Sequence, residues 1–197
     1  MRACLFGTYN RGHSANRIYA AAARSAGYEV IEIHEPLWER TRDKDSSYFA
    51  PLRLIALGAR WFAAALKLAR RWHGSGGAGV VVIGFNGQLD ILLLKLLTWR
   101  YGPRVVFAPL VSITETLVDD RGVYAPGSLM ARALACLDRL ACRCADVVVT
   151  DTQEHRRYFV ERLGVDPSRL AVCHLGVDNE MFMFAPVSGD AAVARAR

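Results

Sequence analysis

The segment GTYNRGHS, residues 7 to 14, places two glycines and several polar side chains directly after a short apolar run. Its spacing is G-x-x-x-x-G, and His13 and Ser14 stand where a P-loop carries lysine and then serine or threonine. A P-loop lysine keeps a permanent positive charge on the nucleotide phosphates, whereas histidine is shorter and mostly neutral at pH 7. The pattern therefore argues against an NTPase loop, although a small nucleotide-dependent enzyme stays open as an alternative.

The same loop is suited to contact an anionic ligand through its backbone. Glycine allows close approach of backbone amides, and the helix predicted to begin near Ser14 directs the positive end of its dipole toward the loop. The predicted substrate-binding residues of the loop are Gly7, Asn10, Arg11, Gly12 and Ser14. His13 is a catalytic candidate. The alternative is a plain turn in which Ser14 serves only as the helix N-cap.

A second group of reactive side chains lies in PLVSITETLVDDRG, residues 109 to 122. A carboxylate at a ligand cleft can polarise a hydroxyl or stabilise a developing positive charge. Glu115 lies nearest a predicted strand end, so it is the second catalytic candidate. Thr152 and His155, at the start of a later predicted helix, are candidates for substrate binding. The alternatives are an acidic loop that is simply solvated and a capping role for the first turn of that helix.

These loops are positioned by an alternation of short β-prone runs and helical segments along most of the chain. Apolar runs such as GVVVIGF (79–85) and DVVVT (146–150) are typical of parallel strands buried on both faces. The sequence therefore predicts an α/β fold, a doubly wound, Rossmann-like parallel sheet in a single domain. Ligands of such sheets bind beyond the carboxyl ends of the strands. Asn86 and Gln88, after the third predicted strand, are accordingly further substrate-binding candidates.

Composition narrows the class of protein. The chain has 197 residues, is 52% hydrophobic and carries a formal charge of +6 at pH 7, which suits one domain with a substantial core. Its five cysteines are an odd number without zinc-type spacing, so we expect reduced thiols and no metal site. The chain lacks a G-x-G-x-x-G motif, and we expect no cofactor. No apolar stretch approaches the roughly 20 residues that span a bilayer, and the N-terminal run is short for a signal peptide. We expect a cytoplasmic protein that does not bind nucleic acid.

The segment ADVVVTDTQEHRRYFVERLGVDPSRLAVCHLGVDNEMF, residues 145 to 182, carries a family resemblance. Its order of strand, helix, G-V, strand and closing G-V-D-x-x-x-F resembles the N-terminal domain of GT-B glycosyltransferases of the GT4, or group 1, family. GYEV at 27 to 30 agrees with that family's second strand. The resemblance implies one half of a GT-B fold over residues 1–178, followed by an interdomain linker or tail over 179–197. The usual G-G pair of the family is Gly12-His13 here.

The resemblance also implies a function. GT-B enzymes bind the nucleotide-sugar donor mainly on a second, C-terminal domain, which these residues do not include. We therefore expect the acceptor-side domain of a glycosyltransferase of the hexosyltransferase type, acting on a saccharide or lipid-linked acceptor and inactive alone. The alternative is a non-catalytic module that docks on a separate donor-binding chain, which leaves open whether this chain is itself an enzyme.

The helix predicted over residues 52 to 72 carries several basic residues and no acidic one. At 100° per residue, four of these cations fall within about 40° of each other, with tryptophans beside them. This favours contact with an anionic bilayer, so we expect peripheral association with the inner face of the membrane. The predicted membrane-surface residues are Arg53, Arg60, Trp61, Lys67, Arg71 and Trp72. The alternative is an ordinary amphipathic helix whose solvated side is basic.

Overall fold

The computed structural model describes residues 1–38, 51–100 and 102–176, and within them strands and helices alternate. The strands are β1 (Arg2–Gly7), β2 (Glu29–His34), β3 (Val80–Ile83), β4 (Arg104–Leu110), β5 (Val147–Thr150) and β6 (Leu170–Val172). The helices are α1 (Ser14–Ser25), α2 (Pro51–Gly74), α3 (Gln88–Leu97), α4 (Leu129–Cys144) and α5 (Gln153–Glu161). A π-helical segment (Glu115–Asp120) and a 3-10 turn (Pro167–Arg169) complete the described elements.

All six strands are parallel and lie in the order β2-β1-β3-β4-β5-β6. The prediction of a Rossmann-like parallel sheet is confirmed. The chain leaves β1 toward β2 and then returns to β3 on the other side of β1, so the strand order reverses between β1 and β3. In open α/β sheets such a reversal leaves a crevice at the carboxyl edge of the strands. The predicted boundary near residue 178, like the closing motif beyond Gly176, lies outside the described residues.

The core has two unequal parts because successive strand residues point to opposite faces of the sheet. The larger cluster contains Phe6, Phe107 and Phe159, together with the buried sides of α2 to α5. Phe6 meets Trp72 of α2 edge to face, with ring centroids 5.9 Å apart. The smaller cluster, around Leu5, lies on the other face beneath α1. Burial of large side chains, at roughly 1.5–3 kcal/mol each, is what holds the helices against the strands.

Local sequence explains where the helices near the carboxyl edge begin and end. Ser128 accepts a hydrogen bond from the Ala131 amide and so caps α4, while Gly164, with φ +69°, follows the end of α5. The sequence predicted a loop over residues 109 to 122. The structure instead winds part of that loop into the π-helix, a form that often occurs at functional sites.

Candidate functional site

Gly7 ends β1 at the crevice. Because it has no side chain, the Asp90 carboxylate can approach its backbone closely. The φ of Gly7 is +129°, and a Cβ atom there would overlap the Asp90 carboxylate. Asp90 is buried and accepts hydrogen bonds from the Thr8 amide at 2.7 Å and from Trp61 Nε1 at 3.0 Å. Burial is the main reason that the pKa of Asp90 is raised. The carboxylate therefore connects β1, α2 and α3, and the missing side chain of Gly7 leaves room for it.

Asn10 closes the glycine loop after β1 by accepting hydrogen bonds from amides of the same loop. The Gly12 amide donates to Asn10 Oδ1 at 2.7 Å, and the His13 amide donates to the Asn10 carbonyl at 3.1 Å. These two amides are therefore engaged within an Asx-type turn, and the ligand role of Gly12 stays a prediction. Arg11, another predicted binding residue of this loop, pairs with Glu32 of β2 at 3.1 Å.

His13 occupies the N-cap position of α1. The prediction that Ser14 is the N-cap is therefore wrong by one residue, while its predicted binding role stays a prediction. The His13 side chain makes no capping hydrogen bond; its ring lies against Phe85, with centroids 5.0 Å apart. Ser14 is exposed as the first helical residue. The first amides of an α-helix have no partner within the helix, although the Asn16 amide here already donates to the His13 carbonyl at 3.1 Å.

A buried asparagine of α1 connects the first loop to the loop after β3. Asn16 donates from Nδ2 to the Asn10 carbonyl at 2.9 Å and accepts from the Phe85 amide at 3.4 Å. A Cβ atom at Gly84 would overlap the Asn16 side-chain oxygen, so this position requires glycine. Asn86, a predicted binding residue, has φ +64°, a conformation that asparagine tolerates better than most residues.

Asp138 of α4 connects the loop after β3 to the loop after β4. It is 2% exposed and accepts from Ser112 Oγ at 2.8 Å and from the Thr114 amide at 2.9 Å. Gln88 donates to Asp138 at 3.3 Å and is itself 2% exposed. The structure therefore places Gln88, predicted to bind substrate, beneath the surface of the site, where it holds the two loops together.

The two reactive residues predicted in the later loops are brought together at the rim. His155 Nε2 lies 3.8 Å from Glu115 Oε1, and His155 Nδ1 lies 2.5 Å from Asp151 Oδ1. Burial is the largest cause of a raised pKa of Glu115, which the positive charge of a protonated His155 would partly lower. Thr152, rather than Asp151, caps α5 by accepting from the His155 amide at 3.1 Å. This frees the Asp151 carboxylate for the imidazole.

The residues that sequence reasoning missed are the buried polar anchors beneath these loops. Asp138 was detectable, because it falls on the same helical face as Ala131, Ala141 and Cys142, all buried. A charged residue on an apolar helix face indicates a buried hydrogen-bonding role. Asn16 gives a weaker signal of the same kind.

The stripe predicted on α2 does not lie on one open surface. Trp72 is 9% exposed and belongs to the core, so its prediction as a surface residue is wrong. Lys67 and Arg71 both pair with Glu35, at 3.4 and 3.3 Å. Arg60 reaches toward the Leu37 carbonyl at 3.4 Å, and the side chain of Arg53 lies outside the described part.

Two further findings concern only the described residues. No helix there is sufficiently long and apolar to cross a bilayer. No group of three or more His, Cys, Asp or Glu side chains in that part of the chain is arranged to bind a metal ion.

The fold is similar to that of Alr3699/HepE from Anabaena, which was crystallised in complex with UDP. The TM-score is 0.51 at 11% sequence identity, and the match covers 100% of this chain but 49% of that one. The chain thus spans about half the length of that protein, and the likeness concerns the fold. No curated protein sequence matches the chain significantly. Residues 10–176 match the family model described as Glycosyl transferase 4-like domain. Because that match extends over most of the chain, the protein belongs to the glycosyl transferase 4-like domain family.

Proposed function

We propose that this chain is the acceptor-side domain of a glycosyltransferase, which transfers a sugar from a nucleotide-sugar donor to a saccharide or lipid-linked acceptor. The supporting observation is the pair formed by Glu115 and His155. Glu115 lies in the π-helix after β4 and His155 in the first turn of α5, and their side chains are 3.8 Å apart and partly exposed. Buried side chains anchor the neighbouring loops, so the pair is held on a rigid base, as a site that orients a hydroxyl requires.

Acceptor binding is tested with the 15N-labelled chain and a panel of saccharides, by following amide resonances during titration. We expect perturbations in the four loops after β1, β3, β4 and β5, and an about tenfold weaker affinity for Glu115→Ala, equivalent to about 1.4 kcal/mol. Glu154→Ala is the matched control, because Glu154 is an exposed glutamate one residue before His155. Saccharide binding that perturbs only surfaces away from these loops would contradict the proposal.

The donor is proposed to be a nucleotide sugar, and the HepE complex suggests UDP as the first nucleotide to test. On this chain, the first-turn amides of α1 near Ser14 are the proposed contact for the diphosphate. We expect weak binding of UDP, with a Kd on the order of 1 mM, because most donor contacts belong to a second domain. Low-micromolar binding of UDP or of a nucleotide sugar would contradict this division of roles.

Transfer by the chain alone is expected to be undetectable. In the proposed enzyme the cleft lies between two domains, and this domain alone cannot exclude water or hold two substrates in line. The chain is incubated with a panel of nucleotide sugars and the acceptors found above, and glycosylated product is followed by mass spectrometry. Product formed by the pure 197-residue chain, in amounts proportional to its concentration, would refute this part of the proposal.

A lipid-linked acceptor is favoured by the outer face of α2. Ile55, Phe62 and Leu66 are 69%, 62% and 49% exposed, and at 100° per residue they fall within about 40° of each other. Arg60 and Arg70 are exposed on the same helix, and the sequence of α2 contains no acidic residue. An exposed apolar stripe with basic neighbours suits a peripheral helix on anionic lipid. This assigns the membrane contact to apolar side chains that differ from the predicted stripe.

Vesicle sedimentation tests this assignment. We expect binding to vesicles containing phosphatidylglycerol at low salt, and at least a fivefold loss for Phe62→Ser. Leu140→Ser is the control, because Leu140 is an exposed leucine on α4. Equal binding of both variants, or equal affinity for neutral vesicles, would contradict the assignment.

The second candidate is a non-catalytic module that docks on a donor-binding chain. It predicts that saccharides leave the four loops unperturbed while a separate chain binds this one. For either role we propose a cytoplasmic location, with peripheral attachment to the membrane. The five cysteines are free thiols, which suits a reducing compartment.

A further inference from the structure

A cavity of about 570 Å³ lies between α4 and α5. The π-helix contributes Val118 and Asp119 to its lining. Neither Glu115 nor His155 is among the lining residues, so the cavity is separate from the pair that they form. Its volume is within the range of sites that bind small molecules.

The deeper part of the lining is apolar. Ala131 of α4, Val118 of the π-helix and Leu163 after α5 are all buried. Ala131 and Ala135 lie one turn apart on the same side of α4, and their short side chains leave space between the two helices. The cavity therefore has an apolar floor on which the body of a small molecule can rest.

Three arginine side chains line the same cavity nearer to solvent. Arg132 and Arg139 of α4 and Arg162 after α5 are all exposed. Within the described part of the chain, none of the three forms an ion pair with a carboxylate. Arg139 donates from Nη2 to the Arg162 carbonyl at 3.1 Å, so these two arginines meet at one end of the cavity.

The charge of the lining favours an anion. Three guanidinium groups face two carboxylates, those of Asp119 and Glu161. Asp119 already accepts a hydrogen bond from the Tyr158 hydroxyl at 2.8 Å, whereas Glu161 is exposed. A phosphate group carries about −1.5 to −2 charges at pH 7, and the planar fork of a guanidinium can donate two hydrogen bonds to its oxygens. Phosphate is therefore a suitable partner for these arginines.

The spacing of the arginines indicates the size of the ligand. Arg132 and Arg139 are seven residues apart, so their Cα atoms are separated by about 10 Å along the axis of α4. A molecule with two phosphate groups at roughly this separation would place one beside Arg132. The other would then lie beside Arg139 and Arg162.

We propose that this cavity binds a small molecule with a phosphate group at each end, of the class of sugar bisphosphates. One phosphate is bound by Arg139 and Arg162 and the other by Arg132, while the body of the molecule covers the apolar floor. The site is distinct from the acceptor and donor contacts proposed above. It does not depend on glycosyl transfer, so either proposal can fail without the other.

The ligand class is tested by titrating the 15N-labelled chain with fructose 1,6-bisphosphate while amide resonances are followed. We expect saturable shifts of the Ala135 and Leu163 amides, with a Kd on the order of 1 mM. Glucose 6-phosphate, which has one phosphate, should bind about tenfold more weakly. Equal affinity for the two compounds would overturn the assignment of two phosphate positions. The absence of saturable shifts in the lining at about 10 mM bisphosphate, or shifts only elsewhere, would overturn the site itself.

Arginine variants separate a defined site from general attraction to a basic chain. Arg132→Ala and Arg139→Ala should each weaken the affinity for fructose 1,6-bisphosphate at least about fivefold. Arg139→Lys keeps the charge but not the planar fork, so it should also weaken binding. Arg143→Ala is the matched control, because Arg143 is exposed in the last turn of α4 and does not line the cavity. An equal effect of all three alanine variants would overturn the proposal.

The variants are suitable for this comparison because the altered side chains are exposed. Surface substitutions of this kind rarely disturb folding, and an unchanged amide spectrum away from the cavity checks that the fold is retained. Affinity for the bisphosphate should also fall as salt is added, since exposed charges are screened. An affinity that is independent of salt would contradict binding through the arginines.

Discussion

Replacement of Asp138 by alanine removes an acceptor that several donors share. The donors are Gln88 Nε2, Ser112 Oγ, the Ile113 amide, and the amide and hydroxyl of Thr114, at 2.8 to 3.4 Å. The two hydroxyls can rotate toward other acceptors, whereas the backbone amides cannot. An unsatisfied buried donor costs about 1–3 kcal/mol, so we expect Asp138→Ala to lower the free energy of unfolding by roughly 2–4 kcal/mol.

The asparagine variant gives a finer test of the same geometry. Gln88 Oε1 is buried without a hydrogen-bond partner. Rotation of the Gln88 amide would offer this oxygen to the new amide group of Asp138→Asn, while the remaining oxygen still accepts from Thr114. We therefore expect Asp138→Asn to cost about half as much as the alanine variant.

Urea unfolding followed by circular dichroism measures both variants, with an unchanged m-value required for the comparison. Asp120→Ala is the control, because Asp120 is an exposed aspartate of the π-helix and should change stability by less than about 0.5 kcal/mol. A loss below about 1 kcal/mol for Asp138→Ala would refute the claim that this carboxylate holds the loops. Asparagine as damaging as alanine would refute the role given to Gln88.

Three further predictions follow from the packing and burial of single residues. Gly84→Ala should destabilise by about 1–3 kcal/mol through overlap with a buried side chain, whereas Gly58→Ala, in open space on α2, should stabilise by about 0.5–1 kcal/mol; urea unfolding measures both. The raised pKa of Asp90, caused mainly by burial, means that the folded state binds this proton more tightly than the unfolded state. The Asp90 contribution to stability should thus fall as pH rises above about 4, and Asp90→Asn should lack this slope in unfolding curves measured across pH. Trp72→Ala should cost about 3–5 kcal/mol and Phe62→Ala less than about 0.5 kcal/mol, and equal losses would contradict their assigned burial.

The fold was predictable because its signals are local and repeated. Runs such as GVVVIGF and DVVVT carry enough β-branched residues to indicate buried parallel strands. Glycine and capping residues locate most helix ends to within about two residues. The sequence also brought Glu115 and His155 to the same edge of the sheet, because strand order and the carboxyl-edge rule suffice for that.

The contacts within the site were less predictable, since they depend on pairs distant in sequence. That Asp90 would fill the space beside Gly7 requires knowledge of how α3 approaches β1. Asp151 and Thr152 are adjacent and both suited to cap α5. In the structure Thr152 is the cap, and Asp151 contacts the His155 imidazole. The wrong prediction of Trp72 as a surface residue has a similar cause. The position of a residue around the axis of α2 does not reveal which side of the helix packs on the sheet.

The polar anchors Asn16, Asp90 and Asp138 sit below the loops that they hold. In the loop after β1, the base is anchored in this way, whereas the tip with Arg11 and Gly12 is solvent-exposed. Related proteins could exchange this tip to accept new partners while retaining the same foundation. Engineering of specificity should accordingly begin with the tip and leave the three anchors untouched.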